Sequence, residues 1–230
     1  DDFGDRIPSL AVEVVRPAPP IPGEPSLENL TRAVNLIPGC GEFALATTIF
    51  RKQLSPGHAV TENAHASAER SDFMVALDQL QDALPNLAHV TLVVCWFGSD
   101  LRAGICQIAP RVEASVKDTS PQTWSVAGMG RGATATPSLS YGRIAYGGTP
   151  SDASVLEAIA ELKRRGLSIG ITPFLLMDIP AGNTLPSADG SVSQPPYPWR
   201  GRISGNTPSA DRTAAAATQI ARFFGTAAAA

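Results

Sequence analysis

Three apolar runs with different periods stand out between polar, proline-punctuated stretches. After Ser71-Asp72, the residues Phe73, Leu77, Leu80 and Leu84 recur at i, i+4, i+7 and i+11 until Pro85. That spacing places four apolar side chains on one helical face, and the proline stops the helix. HVTLVVCWFG follows at 89–98, and Val90–Phe97 is almost continuously apolar and β-branched. Such a run suits a strand covered on both faces in a parallel sheet. A second helix is predicted over 150–165, with Thr149 as N-cap, Pro150 at the first helical position and Asp152 in the electropositive first turn. Val155, Ile159 and Leu162 face inward, Lys163, Arg164 and Arg165 load the last turn, and Gly166 ends it. It leads into LSIGITPFLLM, read as a strand over Leu167–Thr172 with Pro173–Met177 as a bent end, because proline interrupts a central ladder. Thr123–Ala127 is a third candidate strand, and a last helix is predicted over about Asp211–Phe224, closed by Gly225.

Upstream the pattern is weaker. Ile7, Leu10, Val12, Val14 and Val15 predict a short strand within 1–16. Residues 17–26, PAPPIPGEPS, form a semi-rigid extended linker. Residues 27–70 read as a connecting segment: Ser26 caps a short helix through Val34, Pro38-Gly39 marks a turn, Glu42–Phe50 suits a strand, and Arg51–Arg70 is loop-like. The helix–strand alternation occupies 71–230 and implies an α/β fold with a parallel sheet and right-handed crossovers. A closed (β/α)8 barrel takes roughly 250 residues. Three strands therefore leave two options, a fold smaller than a barrel or the first part of one.

Composition narrows the function classes. A net charge of −3 gives no footprint for nucleic acid or an anionic membrane. No run of 18 apolar residues is present, so no membrane span is expected. The opening DDFGDRIPSL lacks the features of a signal peptide and has no initiator Met, so a longer polypeptide is expected. Three Cys, without CxxC spacing, do not form a disulfide framework or zinc ribbon. His58, His65 and His89 are not spaced as a metal site, and GGTPSD lacks the spacing of a phosphate cradle, so neither metal nor cofactor is expected.

Parallel α/β folds carry their chemistry where strands end. The first strand ends in WFGSDLR, which offers Trp96, Asp100 and Arg102. The second candidate offers Arg131, and the third offers Asp178 and Asn183, with Gln194, Tyr197, Trp199, Arg200 and Arg202 further along its loop. Aromatic rings beside carboxylates and amides suit carbohydrate, and glycoside hydrolysis needs two carboxyl groups. Asp100 and Asp178 are the two carboxylates at predicted strand ends, hence the candidate catalytic pair. Trp96, Arg102, Arg131, Asn183, Trp199 and Arg200 are the candidate substrate contacts. Asp100 is equally readable as the partner of Arg102, Asp178 as a turn cap, Trp96 as core, and Trp199-Arg200 as an internal stack.

VTLVVCWFGSDLRAG, YGGTPSDASVLEAIAELKRRG, PFLLMDIPAGNTLP and QPPYPWRGRI together resemble the glycoside-hydrolase-like, TIM-barrel-like domain of gene transfer agent and phage tail-tip "megatron" proteins. The resemblance covers roughly 85–204. FGDRIPSLAVEV also resembles the end of the tail-hub domain that precedes this barrel. The resemblance implies the first part of a (β/α)8 TIM-barrel-like domain over 71–230, continuing past Ala230, behind a small mixed α+β segment and the Pro-rich linker. It implies a structural component of the tail tip or baseplate of a virion-like particle, trimeric around the tail axis, beside other hub and baseplate proteins. Its barrel would contact a cell-surface glycan of the host. An active hydrolase of cell-wall or capsular glycan is the alternative.

Overall fold

The computed structural model describes residues 23–37, 41–65, 69–197 and 203–225. The strand expected within 1–16, most of the proline-rich linker, Trp199, Arg200 and Arg202 lie outside them. The fold is mixed α/β, built on a parallel sheet of β1 (Ala33–Leu36), β4 (His89–Gly98) and β11 (Ser168–Met177), in the order β1-β4-β11. Helix α2 (Asp72–Ala83) lies between β1 and β4 in the chain, and α3 (Asp152–Arg164) lies between β4 and β11.

Both helices cover the same face of the sheet. Phe73 and Leu77 of α2 and Ala158 and Leu162 of α3 join Val90, Leu92 and Val94 of β4 in one core. A doubly wound sheet carries its crossover helices on both faces. Here two successive crossovers return to one side, the winding that barrels use. The opposite face buries Cys95, Phe97 and Leu176 beneath Tyr146, whose ring meets Phe97 edge-on at 5.9 Å. Among the described residues no strand pairs with the second edge of β11, and Ile171 and Phe174 are exposed there.

Several elements differ from the sequence reading. The helix expected through Val34 stops after one turn, α1 (Leu27–Leu30), and Ala33–Leu36 pairs with β4 instead. A single turn closes few hydrogen bonds for the backbone it fixes, whereas Val34 and Leu36 gain contact with the sheet core. The strand expected over Glu42–Phe50 is a run of turns and irregular chain. The region read as loop holds a hairpin, β2 (Arg51–Ser55) and β3 (His58–Thr61), turning at Gly57 with φ of 79°. Both strands are largely solvent-exposed, so they lack the apolar alternation that announces a strand.

Between β4 and α3 run six two-residue strands: β5 (Ile108–Ala109), β6 (Thr119–Ser120), β7 (Ser125–Val126), β8 (Met129–Gly130), β9 (Leu139–Ser140) and β10 (Arg143–Ile144). Thr123–Ala127 is therefore not a strand of the main sheet; β7 pairs only with β8. Trp124 and Val126 enter a second core with Phe43, Ala46, Phe50 and Val112. β11 stays in register through Pro173, beyond the bend expected there. It is a sheet edge, where a missing donor is tolerated. Helix α3 is capped by Ser151 rather than Thr149, and α4 (Ala214–Phe224) begins three residues later than expected.

Candidate functional site

Met177 lies beside Gly98 in the β11–β4 register, so Asp178 and Asp100 leave the same end of adjacent strands. The Asp178 amide donates to Gly98 O at 2.9 Å. Asp100 is 2% exposed. Arg102 grips it with two prongs, Nε to Oδ1 at 2.9 Å and Nη2 to Oδ2 at 2.7 Å, and the Arg102 amide adds a third bond of 2.8 Å to Oδ1. Gln194 Nε2 donates to the same oxygen at 2.8 Å. Burial pushes the Asp100 carboxyl upward in pKa, but hydrogen bonds from Arg102 and Gln194 outweigh it and hold the group below the usual carboxylate range.

Gln194 ties the long loop after β11 to the end of β4. Its Oε1 accepts from the Leu101 amide at 2.9 Å. Asn183 braces the loop from within, accepting from the Gln194 amide at 3.0 Å and donating to Gln194 O at 2.8 Å. Asp178 is buried too, accepting from the Ser138 amide at 2.9 Å and from Arg111 Nε at 3.4 Å. Tyr197 O–H donates to Leu139 O at 2.6 Å, closing the loop over the short hairpin.

The structure thus brings Asp100, Arg102, Asp178, Asn183 and Gln194 to one end of the sheet. Trp96 and Arg131 are elsewhere. Trp96 is half-buried on the helix side, beside a cleft of about 400 Å³ that Val94, Val126, Pro150, Val155 and Ile171 also line. Chemically, a glycosidase acid must hold a proton that it can deliver. Asp100 is ionised and fully engaged, so in this geometry it anchors the loop rather than serving as a proton donor.

Arg131 belongs to a second charged cluster that the sequence reading missed. It grips Glu42, whose side chain is fully buried, through Nη1 to Oε1 at 2.7 Å and Nη2 to Oε2 at 2.8 Å. Lys117 Nζ lies 3.0 Å from Glu42 Oε2, 2.9 Å from Glu113 Oε2, and bonds Glu62 as well. Glu42, Glu62 and Glu113 place carboxylate oxygens within 4.8 Å of one another, an all-oxygen set of the kind hard cations favour. The Lys117 ammonium reaches all three and supplies that positive charge itself, so the cluster is a closed ion network. Burial alone would lower the Lys117 pKa, but the Glu62 and Glu113 carboxylates hold it above the usual lysine range. Gly148 leaves room for this network: a Cβ there would fall 2.9 Å from Glu42 Cγ and 3.2 Å from Arg111 O. Only Glu113–Lys117, an i,i+4 pair, was visible locally; Glu42 and Arg131 are 89 positions apart.

No protein-family model matches the chain, and no curated protein matches its sequence. Fold and site define a mixed α/β protein with an ion-paired strand-end edge. Among the described residues no helix is long and apolar enough to cross a membrane.

Proposed function

We propose that this chain is part of a gene-transfer-agent or phage-like tail tip, in which β1, β4 and β11 begin a (β/α)8-like barrel facing the host envelope. Three things support this reading. The quoted motifs resemble that family. Both crossover helices lie on one face of the sheet. Among the described residues the outer edge of β11 is unpaired, which leaves a place for a further strand. The barrel acts by binding glycan rather than cleaving it, in a homotrimer beside other hub and baseplate proteins. The observation that favours binding over cleavage is Asp100, buried and held by Arg102 and Gln194 so that it is not free to deliver a proton.

An active glycoside hydrolase is the second reading, favoured by two carboxylates at adjacent strand ends. One experiment separates them. The purified protein is sedimented with isolated cell walls and with capsular glycan, and released reducing ends are assayed in the same tubes. Co-sedimentation without release supports binding. Release that is lost in Asp178→Asn supports the hydrolase, and neither binding nor release overturns both.

A further inference from the structure

The Glu42 network plays no part in the glycan role, yet it lies on the seam between the segment that carries Glu42 and the chain between β4 and α3. Glu42 stands on a turn fastened to the sheet. Its carbonyl accepts from the Ser151 amide at 2.9 Å, Leu45 lies in the sheet core, and Glu157 of α3 accepts from the Thr47 and Thr48 amides at 2.8 Å each. Arg131 and Lys117 stand on the excursion between β4 and α3, and Glu62 follows β3 directly. Hairpin β2–β3 joins that excursion through β6. Hairpin and excursion together form a wing, and Val112, Trp124 and Val126 of the excursion pack on Phe43, Ala46 and Phe50 of the Glu42 segment in a core smaller than that of the sheet.

We infer that the Glu42–Arg131–Lys117 network is an acid-released latch that holds this wing against the parallel sheet. The groups facing Glu42 are Arg131 from a one-turn 3-10 helix over Arg131–Ala133, Lys117 and Glu113 from the preceding loop, and Glu62 from the end of the hairpin. Asp72, at the start of α2, lines the adjoining cleft of about 310 Å³. At neutral pH the carboxylates outnumber the two cations. Acid neutralises Glu42, whereas lysine and arginine stay charged far above that range. Two buried cations then lose the carboxylate that lies between them, and opening the wing returns them to water.

Burial raises the Glu42 pKa, but Arg131 and Lys117 bring it below the usual range. Its stabilising contribution is therefore complete above the unfolded value, roughly 4.3, and is lost as pH falls below it. The paired residues of β4 and β11 include no carboxylate, so that ladder has no such dependence of its own.

Hydrogen exchange at pH 7, 5, 4 and 3, corrected for intrinsic rates, tests the latch. Residues 112–133 should lose protection by about tenfold per pH unit below roughly 4.3, while 89–98 and 168–177 stay protected. Glu42→Gln should expose 112–133 already at pH 7 and flatten that profile. Simultaneous loss of protection in wing and sheet overturns the proposal, as does a wild-type profile in Glu42→Gln. If Glu42→Gln does not fold, the wild-type profile decides alone.

Discussion

Gly148 shows how much one missing methyl group permits. Its backbone passes so close to Glu42 and to the 111–113 backbone that a Cβ would clash with both. Overpacking of this kind costs about 1–3 kcal/mol. Gly148→Ala should lower the urea midpoint accordingly, without a change in m-value. Asp100 makes the complementary case. Asp100→Asn leaves Arg102, only 13% exposed at its side chain, without a counter-ion. The cost should be about 2–3 kcal/mol at pH 7. The Asp100 pKa is lowered in the fold, so its contribution is present above roughly 3.9 and fades as pH falls. The gap between wild type and Asp100→Asn should therefore narrow at pH 3 in urea titrations. At this scale legibility follows sequence distance. The Asp100–Arg102 pair could be read from DLR because the partners are two positions apart. The Glu42–Arg131 pair could not, because nothing in either neighbourhood names the other.

Among the elements, those with strong apolar period and clear punctuation were readable. α2 was placed within a residue at each end, since Ser71 caps it by accepting from the Met74 amide at 3.4 Å. β4 matched because a strand covered on both faces must be apolar throughout. The start of α3 was misplaced because both Thr149 and Ser151 suit a cap, and only tertiary context chooses. Ser151 is buried, and its hydroxyl contacts Ser154 Oγ at 2.6 Å as well as accepting from the Ser154 amide at 3.2 Å. Ser151→Ala should cost about 1 kcal/mol in thermal or urea unfolding, while Thr149→Ser should leave α3 in place by circular dichroism. The hairpin β2–β3 was invisible for the opposite reason: its residues face water on both sides, so hydrophobic pattern does not distinguish it from loop.

For the whole molecule, the sequence order of helices and strands conveyed a parallel sheet. It could not convey that α2 and α3 share a face, which depends on how each crossover turns. It also missed β1, whose four residues are too few for a periodic signal. Among the described residues the sheet has a long unpaired edge at β11, with Ile171 half exposed at 50%. Edges of this kind pair with other chains unless charged or covered. The isolated chain should self-associate at micromolar concentration, and Ile171→Lys should shift light scattering toward monomer with little change in unfolding midpoint. The same sheet also has a kinetic consequence. Ser168 meets His89 across 79 positions of chain. Closing a loop of that length costs about 4 kcal/mol of chain entropy, roughly twice the figure for a ten-residue loop. The helices can form before that loop closes, whereas the β4–β11 ladder cannot, so closing it is expected to set the rate-limiting barrier. In a chevron plot Ile169→Val should slow the folding limb and leave the unfolding rate nearly unchanged. The pairing that defines the architecture would then also set the pace at which it forms.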